Sequence, residues 1–429
     1  SQVKRQKPEW HVVVLEKGHY ISYAGCGLPY YLEGIIPHYE QLISITPEVA
    51  VNERQIDLRL NCEAVKIKPD EREVLVKTTQ GLKTESFDFL VIATGAVPQA
   101  SAIQLDSSER IFMLHNLDDA FKVDNFLNSC KPKNCAVIGG GYIALEMAEV
   151  FKKRGLNTHL IHRRNDLSKS FEKEISDIIK EKMVEEGINL HLNRAVLAVK
   201  EKNEKAVVIT NDGELTFDFV LVASGVAPNT ALLKETKIEL GLRNAIKVNS
   251  YLQTNYDYIY AAGDCTQTVN MITGRPVYVP LALKANKEGF IAGLNICGAK
   301  EEFAGILGTA ITKIFQLGVA RTGLTFSEAE NNGFNPIKYD FTSNSRAKYY
   351  PEAGTMISVV ILNKDDERIL GAQLAGPVES VKRIDVYATM IYNKMTITDV
   401  FNLDLSYAPS FSPVYDPVLL AARLGRKHI

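Results

Sequence analysis

An α/β protein is predicted, two doubly wound parallel sheets followed by a smaller α+β unit, and three observations predict it. FDFLVIATGAVPQ at 87–99 recurs as FDFVLVASGVAPN at 217–229, an offset of 130 residues, so the chain carries an internal repeat. CAVIGGGYIALEMAEVFKKRGLNTHLIHRR at 135–164 reads as strand, glycine-rich turn, helix and strand. From about residue 304 the pattern changes to alternating strand-like runs, MISVVILN and RILGAQLAG, then a helix-like ESVKRIDVYATMIYNK and a tail rich in Tyr, Pro and Ser.

Bulk properties fit that architecture. A chain of 429 residues is too long for one hydrophobic core, which predicts two to four domains. An apolar content of 46% and a charged content of 23% are those of a soluble globular protein, and a net charge of −2 speaks against nucleic acid or a membrane surface as partner. No apolar stretch approaches the roughly 18 residues of a membrane span. Six scattered cysteines, at 26, 62, 130, 135, 265 and 297, make no disulfide framework and predict a reducing, cytoplasmic home. Cys130 and Cys135 have the spacing of some redox disulfides, but Cys135 opens an apolar strand with Pro132 in the turn before it.

Each repeat copy is a near-continuous apolar run ending in glycine, the pattern of a strand buried on both faces of a parallel sheet. A hairpin signal precedes each, TTQGL at 78–82 and TNDGE at 210–214. In the second copy Gly139, Gly141 and Ala144 fit Gly-x-Gly-x-x-Ala, which permits a tight turn and close approach of backbone to a dinucleotide pyrophosphate at a helix N-terminus. HVVVLEKG at 11–18 aligns with THLIHRRN at 158–165, so the matching strand and loop of the first copy are expected before Ser1, with residues 1–7 as the last turns of its helix. A targeting signal there is not excluded. Glu16 ends the first copy's second strand, where an acid suits a ribose diol; His162, Arg163 and Arg164 end the second copy's, where cations suit a 2′-phosphate and hence NADPH. YDYIYAAGDC at 256–265 is a short aromatic strand running into Gly263-Asp264, able to set a carboxylate beside a cofactor's sugar chain.

Paired nucleotide folds, the Ala-Thr-Gly and Ala-Gly-Asp strand ends, and a cysteine soon after the first Glu-ended strand resemble the FAD- and pyridine-nucleotide-dependent disulfide oxidoreductases. SYAGCGLPYY, YYPEAG and YAPSFSPVYDP resemble its single-cysteine branch, which includes the coenzyme A disulfide reductases. Two-cysteine members need Cys-x4-Cys, and the partner positions around Cys26 are Ile21 and Tyr31, so Cys26 acts alone. LPYYLEG reads as a short helix whose N-terminal dipole is expected to favour the thiolate. Gly25 and Gly27 would let backbone and flavin approach closely.

The resemblance implies two Rossmann-like domains and a C-terminal α+β domain: residues 1–111 and 246–303 binding FAD, 112–245 binding NAD(P)H, and 304–429 making a homodimer. Electrons would pass from NADPH, or NADH, through FAD to a mixed disulfide on Cys26, with Tyr407 and Tyr349 reaching that thiol from the partner subunit. It also implies cofactor contacts at Glu16, Lys17, Thr94, Gly95, Asp264, Ala282, Gly139, Gly141, Tyr142, Ile143, His162, Arg163, Arg164 and Gly225. Tyr142 would gate the nicotinamide site and Asp264 would bind the ribityl chain. Gln2, Arg5, Ser22, Arg54 and Asn286 match positions that hold coenzyme A or another small thiol or disulfide; no metal is implied. Relatives commonly have Asn at Gly25, His at Asn286 and Lys at Tyr415, and no rhodanese domain follows residue 429. Reduction of coenzyme A disulfide or persulfide is the first reading. Reduction of polysulfide or sulfur is the second and an NAD(P)H oxidase or peroxidase with a Cys26 sulfenic acid the third, beside a flavin-bound scaffold or electron-transfer partner.

Overall fold

The computed structural model describes residues 1–100 and 102–428. Its two repeat copies interlock. Strand Ala96–Pro98 runs antiparallel to Val226–Pro228, with Ala96 opposite Pro228, Val97 opposite Ala227 and Pro98 opposite Val226. The Gln99 N–H donates to Gly225 O and the Asn229 N–H to Gly95 O, 2.9 Å each, and these four residues are also repeat equivalents. The duplicated sequence therefore makes a local pseudo-two-fold junction, and both strand ends meet at it.

The second copy is a five-stranded parallel sheet in the order Ile111–Phe112, Phe219–Val222, Asn134–Ile138, Asn157–Ile161, Asn189–His191. Its apolar runs are explained by cover on both faces. Cys135, Val137, Phe219 and Leu221 pack against the side holding helices Leu117–Cys130, Tyr142–Lys153 and Lys173–Glu185. Alternate residues Ala136, Ile138, Val220 and Val222 pack against the antiparallel strands Val196–Lys202, Lys205–Thr210 and Gly213–Phe217.

In the first copy Val13–Leu15 pairs parallel with Asp57–Arg59, and Leu90–Ile92 with Ile259–Ala261. Among the described residues no strand joins these two pairs, and Phe89 and Val91 are 43% and 41% exposed where their equivalents Phe219 and Leu221 are fully buried. Both hairpin signals turn as read. Strands Glu73–Thr78 and Gly81–Ser86 meet at Gly81 (φ 114°), and Lys205–Thr210 and Gly213–Phe217 at Gly213 (φ 102°), a left-handed conformation that glycine adopts without strain.

The C-terminal unit is an antiparallel sheet in the order Ala310–Ile314, Leu317–Gly323, Ile369–Pro377, Thr355–Asn363, Pro336–Asn344, with helices Ile384–Tyr392 and Pro417–Gly425 packed on its core. It is tied to the second copy by ions: Lys313 pairs with Glu149 at 3.0 Å, and Lys338 with Glu172 at 3.1 Å and Glu174 at 2.8 Å. Cys130 is exposed and Cys135 buried, and both are free thiols. No helix among the described residues is long and apolar enough to cross a membrane.

Candidate active site around Cys26

Cys26 lies in the tight turn Gly25–Gly27 that leads into helix Leu28–Glu33, which ends on a left-handed Gly34. Gly27 is required by packing, since a Cβ there would sit 2.4 Å from Leu42 Cδ2. Gly25 is not, because a Cβ there would find only the Tyr23 ring, at 4.0 Å. The thiol is exposed and unpaired. The surroundings oppose the expected thiolate preference: partial enclosure by neighbouring atoms, although the residue is exposed by area, then the carboxylates of Glu146 and Asp264, push the Cys26 thiol up, with only a backbone hydrogen bond opposing them. A six-residue helix entered through a tight turn has too weak a dipole to outweigh two acids.

On the flavin side, Glu16 follows strand Val13–Leu15 and folds back so that its Oε1 accepts from the Gly18 N–H at 2.7 Å. Lys17 beside it is exposed. Thr94 and Gly95 are held at the repeat junction, where Thr94 Oγ1 donates to Asn229 O at 2.6 Å and Asn229 Nδ2 to Thr94 O at 3.2 Å. Asp264 carries a buried Oδ1 with no hydrogen-bond partner, an orphan that a ribityl hydroxyl would satisfy. Burial pushes its carboxyl up, while Lys284 and then His115 pull it down. Ala282 opens helix Ala282–Ile296 with no side-chain cap, leaving backbone N–H groups for a ligand. These features fit FAD.

The glycine loop fits a pyrophosphate equally well. A Cβ at Gly139 (φ 144°) would meet Ala223 O at 2.3 Å, so backbone contact requires glycine there, whereas Gly141 has nothing within 4 Å of a Cβ and opens the uncapped helix Tyr142–Lys153. Gly225, at φ 126°, is equally open. Tyr142 packs edge-on to Phe171, its hydroxyl buried beside Ser170 without hydrogen-bonding geometry; Ile143 next to it is exposed. His162 lies over Gly140 and is held neutral by burial and then by Arg164 and Arg163. Arg163 and Arg164 are exposed, and neither has an ion-pair partner among the described residues.

Tyr349 and Tyr407 are brought together, close enough that desolvation and then Tyr349 raise the Tyr407 hydroxyl, and both are exposed, Tyr349 by 78%. Neither contributes to the electrostatics of the same chain's Cys26. Arg5 reaches Gln2 Oε1 at 3.5 Å and, with Lys4, Glu53 and Arg54, lines a cleft of about 280 Å³. Gln2 packs on Gly293, and Asn286, two turns back along the same helix face, is exposed with its amide donating to Ala282 O at 3.0 Å. Ser22 sits on the strand Ser22–Tyr23 that leads to Cys26.

Sequence reasoning missed Glu146, Lys284 and Glu288. Glu146 accepts from Thr312 Oγ1 at 2.6 Å, and burial pushes its carboxyl up. One turn beyond Tyr142 on a helix that carries the glycine loop, it was visible only as one more acid.

Two matches cover the chain. The pyridine nucleotide-disulphide oxidoreductase family matches residues 3–289, and the dimerisation domain of the same family matches 309–417. A relative from Pyrococcus furiosus, an NAD(P)H sulfur oxidoreductase (CoA-dependent), is 40% identical over 99% of this chain and 95% of its own. A coenzyme A disulfide reductase from Staphylococcus epidermidis is 29% identical over 98% of this chain and 95% of its own. The solved structure of a NAD-dependent persulfide reductase from A. fulgidus superposes with a TM-score of 0.96 at 31% identity, covering 100% of this chain and 80% of that one.

Proposed function

This chain belongs to the pyridine nucleotide-disulphide oxidoreductase family, and from that premise we propose that it uses NADPH and FAD to reduce the sulfur–sulfur bond of a coenzyme A disulfide or persulfide at the single thiol of Cys26. One observation carries the reading. The helix that Cys26 leads into is tied to the end of the glycine-loop helix, Lys153 pairing with Glu33 at 2.7 Å and Arg154 donating to Leu32 O at 3.1 Å, and the carboxylates of Glu146 on that helix and of Asp264 both act on the thiol. A thiol at that junction is where electrons passed from one cofactor to the other can be collected.

When bound, NADPH and FAD supply the hydride and the two electrons. The chain supplies the sulfur chemistry. Cys26 as thiolate attacks one sulfur of the substrate, forming a Cys26–S–S–R mixed disulfide and releasing the other half as thiolate. Two electrons and a proton then return Cys26 to thiolate and release the second half as thiol. Tyr407 and Tyr349, acting from the partner subunit of a homodimer, protonate the leaving sulfur. Arg5 and Arg54 pair with the phosphates of coenzyme A, with Gln2, Ser22 and Asn286 along the path to the thiol. Arg163 and Arg164 read the 2′-phosphate of NADPH, so NADH is the weaker donor. Residues 1–111 with 246–303, 112–245 and 304–429 are the three working domains of a cytoplasmic enzyme.

A second reading, reduction of polysulfide or elemental sulfur on the same cysteine, is favoured by the open space at Gly25, which leaves room beside the thiol for a sulfur chain. It is supported by the name of the Pyrococcus furiosus relative. Anaerobic NADPH oxidation with coenzyme A disulfide, coenzyme A persulfide, polysulfide and glutathione disulfide, repeated under oxygen, tests both. Coenzyme A acceptors should outrun glutathione disulfide, and Arg54→Ala should raise KM for them while leaving polysulfide unaffected. Rapid oxygen consumption with no sulfur acceptor used would make it an oxidase, and turnover with none would leave an electron-transfer partner.

A further inference from the structure

A lysine and a glutamate are buried together at the start of the helix Ala282–Ile296. The Lys284 side chain is 1% exposed and that of Glu288 0%. Lys284 Nζ engages all three protons, donating to Gly263 O at 2.8 Å, Thr266 Oγ1 at 2.8 Å and Glu288 Oε2 at 3.0 Å. Glu288 Oε2 also accepts from the Gly263 N–H at 2.8 Å and the Thr266 hydroxyl at 2.9 Å, while its Oε1 is buried without a partner.

Helix stability does not account for this pair. A cation in the first turn opposes the helix dipole, and Lys preceding Glu by four is the weaker order. Burying two ions costs desolvation that their attraction seldom repays over apolar packing. What the pair does hold is both backbone polar groups of Gly263 and the hydroxyl of Thr266, the two sides of the turn that presents Asp264. The charged and titratable groups facing Asp264 are few. Lys284 and His115 draw its carboxyl down; Tyr278, whose hydroxyl donates to Asp264 O at 3.0 Å, is raised to about 12 by burial first and then by Asp264, which also adds to the rise of Cys26. Of Lys284 and His115, only Lys284 is buried.

We propose that Lys284 is a positioning residue for flavin binding, fixing the Gly263–Thr266 turn and keeping Asp264 in the carboxylate form that a ribityl hydroxyl needs as its acceptor. Glu288 orients the lysine and balances its charge. The proposal rests on Asp264 being a flavin contact.

The test is the apparent Kd of the holoenzyme for FAD, from the fluorescence of flavin released on dilution between pH 6 and pH 8. Wild type, Lys284→Arg, Lys284→Met/Glu288→Gln and Asp264→Asn are compared, with thermal melting as the check on fold. The double variant leaves no unpaired buried charge, so it keeps the fold testable, and His115 is common to all. The double variant should lose affinity by about tenfold more than wild type as the pH falls from 8 to 6, the worth of one charge-assisted hydrogen bond. Lys284→Arg should keep the wild-type profile. Asp264→Asn should bind weakly at every pH, with no added slope. A double variant with the wild-type pH profile overturns the proposal, because lost packing alone would weaken binding without changing its slope. Asp264→Asn with wild-type affinity removes the contact itself, and that failure is distinguishable because it appears without any change at Lys284.

Discussion

The two repeat copies share a sequence pattern and meet as equals at one junction, yet they do different work. In the second copy the repeated strand has a neighbour on each side, Phe219 is fully buried, and Asp218 accepts from the Lys133 and Asn134 N–H groups while pairing with Lys205. In the first copy the equivalent strand has one neighbour among the described residues, and Phe89 and Asp88 are exposed. The second, closed copy carries the glycine loop; the thiol of Cys26 and the orphan carboxylate oxygen of Asp264 lie outside it.

The hardest way to break this division is at its cysteines. Cys26→Ser should lose disulfide and persulfide turnover by at least about 10³-fold, since no second protein thiol at Cys-x4-Cys spacing replaces it, yet keep NADPH-driven flavin reduction. Cys135→Ser, in the closed copy, should keep turnover and lower stability by about 1 to 2 kcal/mol, because a hydroxyl replaces a buried apolar sulfur. Steady-state acceptor assays beside stopped-flow flavin bleaching read both. Comparable losses of turnover in the two variants would dissolve the contrast.

The next test compares the two repeat phenylalanines. Phe219 packs edge-on against Phe112, Phe126 and Phe151, and its removal leaves a closed cavity, so Phe219→Ala should cost about 3 to 5 kcal/mol. Phe89 has Trp10 stacked at 6.0 Å and is 43% exposed, so Phe89→Ala should cost about 1 kcal/mol or less. Chemical denaturation of the holoenzyme variants measures both, and equal costs would mean that the first copy is as closed as the second.

Much of this was legible beforehand for a physical reason. Strands buried on both faces must be apolar throughout, and phosphate loops must be glycine, so the 217–229 run and Gly139 announce themselves. Cys26 stood out because its thiol has no cysteine partner at redox spacing. What stayed hidden depends on three-dimensional neighbours. The rise at Cys26 comes from burial first and then from Glu146 and Asp264, 120 and 238 residues away in sequence. In sequence Lys284 and Glu288 look like any opposite charges four residues apart, and only the fold shows them buried against the Gly263–Thr266 turn. The pairing of the repeat copies with each other needed the structure too, since a repeat period gives no register.

The strand ends sharpen the contrast at the cofactors. Arg163 and Arg164 end a strand of the closed copy, exposed and without ion partners among the described residues, whereas Glu16 ends its counterpart. Replacing both arginines by Ala should cut the preference for NADPH over NADH in kcat/KM by about tenfold to hundredfold, the worth of one charge-assisted contact to a 2′-phosphate. Glu16→Gln should leave that ratio untouched while weakening retention of FAD. A ratio that moves with Glu16 and not with the arginines would exchange the roles of the two copies.

The smallest expected effect lies within the closed copy. Asn189 donates to Asn157 Oδ1 at 2.9 Å, and Asn157 Nδ2 donates to Asn134 Oδ1 at 2.9 Å and lies 3.1 Å from His159 Nε2. That makes His159 Nε2 an acceptor, puts its proton on Nδ1, and directs it at His191 Nε2 2.8 Å away. The chain of donors has no place for another proton on His159, and both imidazoles are held down, His159 by burial and His191, His191 by burial and Arg194. As pH falls below about 6.5 the unfolded chain takes up protons that the folded pair resists, so stability falls with pH in that window and is retained above it. Both residues are part-buried and their shifts modest, so the loss is on the order of 0.5 kcal/mol after solvent screening. His159→Gln should flatten the difference in melting temperature between pH 7.5 and pH 5.5 by about 1 to 2 °C, with no change for a His19→Gln control in the first copy. A wild-type slope in His159→Gln would place the pH sensitivity outside the closed copy.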